Sequence, residues 1–161
     1  MNFTHLLNRL TKYSNDKIVF VGLGNKARGD DVAGLLFTDI LKSKSAFQNS
    51  KFVFAGKNPE NHLQEIINYN PDAVVFIDAA NWGGTPGEIM FLNSDNISNY
   101  DFSTHAFSIK LIEKFILLNR KMDFHYIGIQ TKSNQLGKDI SEEVRKSIIE
   151  FFNEDEKSEE R

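Results

Sequence analysis

Three residues far apart in the chain, Asp31, Asp78 and His105, make the set best equipped for chemistry. Two carboxylates and one imidazole supply hard and borderline donors, which suit a divalent transition metal. Each residue also has a plainer role open to it. Asp31 and its neighbour Asp30 stand where a helix begins, and a carboxylate there gains ~0.3–1 kcal/mol from the helix dipole. His105 follows Ser103 and Thr104 at another helix start, where a lone histidine is more often structural. Asp78 differs, because it closes the apolar run Ala73-Val74-Val75-Phe76-Ile77. A carboxylate buried there is costly unless it is paired. His5, His62 and His125 have no such setting.

The first carboxylates follow a strand and a glycine turn. Residues 18–23 read as a short buried strand, rich in β-branched residues and ending at Gly22-Leu23-Gly24. Leu35, Leu36, Ile40 and Leu41 then give helical spacing over 31–44. Such a strand–glycine–helix unit usually cradles phosphate on the helix N-terminus. Here Asp30 and Asp31 occupy that mouth and would repel it. Gly22, Gly24 and Ala27 also fit a loose dinucleotide fingerprint. The second strand, however, ends in Ala55-Gly56-Lys57 and lacks the acid that would hold a ribose. A nucleotide-dependent enzyme is therefore disfavoured, and a cation or carboxylate site is the better reading.

The remaining elements alternate. Residues 2–13 suit an amphipathic helix, Phe52 to Ala55 a second strand, and a helix begins at Pro59-Glu60 with its proline at a tolerated position. Residues 73–78 form a third strand, apolar on both faces as a central parallel strand should be. Glu88 to Leu92 reads as an edge strand. A long helix follows His105, with Ile109, Ile112, Phe115 and Ile116 marking it; Phe124 to Gln130 is a last strand, and Val144, Ile148, Phe151 and Phe152 mark a closing helix. This order predicts a single-domain, doubly wound α/β/α sandwich, its sheet mostly parallel with an antiparallel edge strand. Functional residues in such sheets gather at the carboxyl ends of the strands. Asp31, Asp78 and His105 are therefore expected to converge there. The domain is expected over residues 1–152, with 153–161 a charged, disordered tail.

Composition narrows the partners. A chain of 161 residues is the size of one domain and can bury roughly 70% of its unfolded surface. Its net charge of −3 gives no reason to expect nucleic acid. No apolar run approaches the ~20 residues of a membrane helix, so no membrane insertion is expected. Cysteine is absent, which rules out disulfides, thiolate ligands and a cysteine nucleophile. A cytoplasmic, monomeric protein is the simplest expectation.

Five blocks, in order, carry a resemblance. They are Val21 to Asn25 with Gly29-Asp30-Asp31; Asn58-Pro59-Glu60-Asn61; Ile77-Asp78-Ala79 with Pro86-Gly87-Glu88-Ile89; Ser103-Thr104-His105; and, more weakly, Tyr126 to Gln130. The chain resembles the [NiFe]-hydrogenase maturation endopeptidases, most closely the branch serving the formate hydrogenlyase-type hydrogenase. The resemblance implies removal of a C-terminal extension from the nickel-loaded large-subunit precursor. It implies that Asp31, Asp78 and His105 contact nickel, which the substrate supplies on its own thiolates. No covalent nucleophile is implied; the expected attack on the scissile carbonyl is by water, helped by metal polarisation or by one of the carboxylates Asp31 and Asp78 as catalytic base. Two departures stand out. Val32 replaces a glycine common in the family, and Thr131-Lys132 follows Gln130 where proline is common. The competing expectation is a non-catalytic accessory protein of hydrogenase assembly, in which the same three residues hold metal without cleavage.

Overall fold

The computed structural model describes residues 1–93, Ile97, Ser103 and 105–153. Asn2 caps the first helix, α1 (Phe3–Leu10), by accepting from the His5 amide at 3.0 Å. There follow β1 (Ile18–Leu23), α2 (Ala33–Ser43), β2 (Lys51–Gly56), α3 (Leu63–Asn68), β3 (Ala73–Ala80), β4 (Ile89–Asn93), α4 (Ala106–Leu117), β5 (Asp123–Gln130) and α5 (Glu142–Asn153). Asn153 thus closes the last helix, and the expected tail beyond it lies outside the described residues.

The five strands lie in the order β2-β1-β3-β5-β4. All neighbours are parallel except β4, which runs antiparallel along β5 at the edge. The central strands β1 and β3 are buried along their whole length. Alternation along β3 sends Val75, Ile77 and Ala79 to one face and Val74, Phe76 and Ala80 to the other. The first face packs against α1, α2 and α5 through Leu6, Phe37, Leu41, Ile148, Phe151 and Phe152. The second packs against α3 and α4 through Ile66, Ile109, Ile112 and Ile116. The predicted three-layer sandwich is therefore the fold.

Two helices begin later than their periodicity predicts. Residues 29–32 and 59–62 each form a tight 3-10 turn before α2 and α3. Both turns lie at the carboxyl edge of the sheet, where the chain must leave a strand and reverse direction within a few residues. The β1 to α2 turn also needs room. Gly24 has φ +141°, and a Cβ there would meet the Asp31 carbonyl oxygen at 2.0 Å. Gly34 lets the first turn of α2 lie on the β1–β3 boundary; a Cβ would stand 2.4 Å from the Leu23 carbonyl oxygen and 2.5 Å from that of Ile77. Val32 adopts φ −77° and ψ −11°, an ordinary helical conformation that needs no glycine.

Candidate active site

The topological switch of this sheet lies between β1 and β3, because the chain winds outward on opposite sides of that boundary. Asp31 stands in the turn after β1, and Asp78 stands near the end of β3. Asp78 belongs to the same alternating row as Val74 and Phe76, so it faces the α3–α4 layer. Its neighbour across β5 is Gly128. His105 immediately precedes α4 in that layer.

Asp78 and His105 are in direct contact. The imidazole Nδ1 lies 3.1 Å from one carboxylate oxygen of Asp78 and 3.3 Å from the other. Asp78 is wholly buried and His105 nearly so. The Ser103 hydroxyl donates to Asp78 and accepts from the His105 amide at 3.1 Å. The buried carboxylate is thus paired, as its burial cost requires. Burial alone would lower the His105 pKa, but the hydrogen bond to Asp78 and the charges of Asp78, Asp31 and Glu60 raise it. The Tyr126 phenol lies in the same network, and burial, then the charge of Asp78, push its pKa well above the ordinary value.

Asp31 is half-buried, and the Asn25 amide donates to its Oδ2 at 3.0 Å. The glycine loop therefore does present an amide to an anion, but the anion is the chain's own carboxylate. Burial first, and the charge of Asp78 second, raise the Asp31 pKa; His105, Asn25 and Arg28 oppose the shift only in part. Asp31 senses both members of the pair without hydrogen bonding to either. Among the described residues, no three His, Asp or Glu side chains are drawn together tightly enough to hold one ion.

Asp30 does something the sequence does not suggest. It caps no helix and is fully buried. Its carboxylate accepts from the amides of Lys132 at 2.7 Å, Ser133 at 2.9 Å and Ser141 at 2.6 Å, and from the Ser141 hydroxyl. Burial alone would raise its pKa; these hydrogen bonds lower it. Asp30 thus fastens the segment after β5 to the glycine loop, and Gly29 and Ala27 add backbone bonds to Lys138 and Gly137. Glu60 and Tyr126 stand in two of the segments that carry the resemblance, and that position is their one signal in the sequence. Gln130 is likewise structural, accepting from the Trp82 and Gly84 amides at 3.0 and 3.1 Å and so holding the β3–β4 loop.

A doubly wound domain that gathers two carboxylates and an imidazole at its switch point has the build of a small α/β hydrolytic enzyme. Comparison with known proteins agrees. The hydrogenase maturation protease family matches residues 37–156, a stretch that includes Asp78 and His105. A Methanocaldococcus jannaschii relative, named among the hydrogenase maturation proteases, is 30% identical over 144 residues, covering 85% of each chain. The hydrogenase 3 maturation protease of Escherichia coli is 27% identical over 135 residues, 83% of this chain and 76% of that one. Among solved structures, the [NiFe] hydrogenase maturation protease HycI of Thermococcus kodakarensis superposes with a TM-score of 0.73 at 28% identity, covering 89% of this chain and 91% of that one. This chain belongs to the hydrogenase maturation proteases. It is a hydrolase, an endopeptidase of hydrogenase maturation, and not the non-catalytic accessory protein that the sequence left open.

Proposed function

We propose that this endopeptidase removes the C-terminal extension of a [NiFe]-hydrogenase large-subunit precursor that already carries its nickel. The observation that carries the reading is the Asp78–His105 contact at the sheet's switch point, with Asp31 close enough for its proton affinity to respond to both. Asp78 engages Nδ1 of His105, which fixes the ring and leaves Nε2 as the nitrogen that meets substrate. Carboxylate and imidazole are donors that suit nickel. The chain has no cysteine, so any thiolate on that nickel belongs to the precursor. Nickel is here part of the substrate, which Asp31 and His105 Nε2 face, while the buried Asp78 holds the His105 ring in place.

The division of labour follows from the environments. Asp78 is committed to His105 and Ser103, so it positions. Asp31 has a raised pKa and one carboxylate oxygen that the Asn25 amide does not hold. That makes it the better base. It takes a proton from the water that attacks the scissile carbonyl. As the C–N bond breaks, it returns the proton to the leaving amine.

The test mixes the purified protein with nickel-loaded precursor and follows the precursor by mass spectrometry. Loss of the extension by wild type, and an intact precursor with Asp31→Asn, Asp78→Asn or His105→Ala, is the expected result. Undiminished cleavage by all three variants contradicts the assignment.

A further inference from the structure

We propose that four exposed cations around Asp31, namely Lys26, Arg28, Lys57 and Lys138, form a rim that receives an acidic stretch of the precursor beside the bond to be cut, an inference that rests on the function proposed above. Most Lys and Arg side chains among the described residues have a partner. Lys12, Arg120 and Lys132 pair with carboxylates, for instance, and Lys42, Lys44 and Lys51 lie over aromatic rings. The four rim side chains are exposed and make no hydrogen bond, ion pair or ring contact with any described residue. Lys114, Lys121 and Arg145 are unpartnered as well, but they are scattered over α4, the residues after it and α5. The backbone gathers the four. The Gly24 amide donates to the Gly56 carbonyl at 2.9 Å, which sets the loop after β1, bearing Lys26 and Arg28, against Lys57. On the other flank the Gly29 amide donates to the Lys138 carbonyl at 2.9 Å, and the Gly137 amide to that of Ala27 at 2.8 Å. Three loops at the carboxyl edge are thus joined side by side, and the middle one carries Asp31. Arg28 stands one tight turn before it, since the Asp31 amide donates to the Arg28 carbonyl at 3.0 Å.

The sign of the rim identifies its occupant. The chain carries −3 overall, so an unpartnered positive cluster is a local departure. The acids of the same loops are mostly engaged. Asp30 is buried among its own hydrogen-bond donors, Asp31 belongs to the site, and Glu60 acts on the charge of His105. Asp139 is left in the open beside the cations. A single exposed lysine is ordinary. Several on loops bonded around one carboxylate attract an anionic partner by their summed field. A peptide bond presented to Asp31 must cross these loops, and its flanking residues come within reach of the long lysine and arginine side chains. Asp or Glu at those flanking positions pairs with the rim and sets the register in which the chain is offered. The rim therefore selects precursors that are acidic next to the cleaved bond. A nucleic acid would meet the same cations, but the three loops carry no Phe, Tyr or Trp on which bases could stack.

The test measures binding of purified nickel-loaded precursor to the full chain by biolayer interferometry, with cleavage followed by mass. The rim variant is Lys26→Glu with Lys57→Glu and Lys138→Glu; Arg28 is kept because its charge acts on Asp31. Kd and KM should rise roughly tenfold or more, with kcat and the melting midpoint unchanged and the salt dependence of binding reduced. Lys114→Glu with Lys121→Glu and Arg145→Glu changes the net charge by the same amount and should bind as wild type does. Exchanging Asp and Glu for Asn and Gln in the few precursor residues that flank the cleaved bond should erase the difference between wild type and the rim variant. If the glutamate set melts early, Lys26→Gln with Lys57→Gln and Lys138→Gln decides the question by the same criteria. Wild-type affinity in the rim variant overturns the rim, and so does an equal loss in the control. A difference that persists on the neutralised precursor also overturns it. Binding of a single-stranded RNA oligomer that the rim variant loses, with precursor binding unaltered, would overturn it by making a nucleic acid the occupant. Wild-type protein that binds the precursor through the rim but never cleaves it would overturn the proposed function and leave the rim standing.

Discussion

Asp30 and Asp31 are adjacent in the chain and have opposite proton affinities. Asp30 is pulled below the usual carboxylate range by the hydroxyl and amides that surround it, whereas burial and the charge of Asp78 push Asp31 above it. Substitution should therefore separate them. Asp30→Asn loses charge-assisted bonds to the segment after β5 and should cost ~1.5–3 kcal/mol in urea unfolding. Asp31→Asn keeps an oxygen for the Asn25 amide and removes the repulsion with Asp78. It should leave stability unchanged or raise it, by on the order of 0.5–1 kcal/mol at pH 7, while abolishing processing. A large loss of stability in Asp31→Asn would reassign that residue to structure. The two carboxylates cannot be told apart by type. What separates them is the 3-10 turn, which points one into the segment after β5 and the other toward the switch point.

At the scale of elements, the path of α2 across β1 and β3 sets the distance between Asp31 and Asp78. Gly34→Ala would drive a methyl group into the Leu23 and Ile77 carbonyl oxygens. Relief requires lifting α2, at a cost of ~1–3 kcal/mol. Processing should fall with it, since the turn bearing Asp31 is continuous with α2; thermal melts and precursor cleavage on one preparation check both. The strands, their order of appearance and the convergence of the three candidate residues on one edge were legible from apolar runs and alternation, because burial on both faces leaves an unambiguous pattern in β1 and β3. The bonds that hold the edge together were not. Asp30 binds residues more than a hundred positions away, and Gly34 is required by a carbonyl on another element. Neither contact has a local period. Of the four residues that mark α4 in the sequence, Ile109, Ile112 and Ile116 are buried against the sheet, whereas Phe115 is half exposed.

Across the whole molecule, the sheet carries a titrating histidine at each end, with opposite signs. His105, at the carboxyl edge, has its pKa raised, so its stabilisation is complete below the unfolded value and is lost as pH rises through the folded one. His125, at the amino edge, has its pKa lowered, chiefly by burial. The Tyr13 hydroxyl gives its one proton to Asp123 and lies 2.8 Å from His125 Nε2, so the network assigns the imidazole proton to Nε2. His125 Nδ1 is buried without a partner, and protonating it would strand an N–H. His125 therefore contributes stability above its unfolded pKa of ~6.5, lost as pH falls through the lowered folded value. Urea midpoints measured from pH 7.5 to pH 5 should decline less steeply for His125→Gln than for wild type; equal slopes would refute the assignment. The proposed processing site lies at the other end of the sheet, where nickel is proposed to enter with the substrate. The most direct measurement offers metal-stripped enzyme both nickel-loaded and nickel-free precursor and compares cleavage by mass. Cleavage of the loaded precursor alone, with no metal added back to the enzyme, is the predicted result. Equal cleavage of both, or activity only after metal is preloaded onto the enzyme, would contradict it.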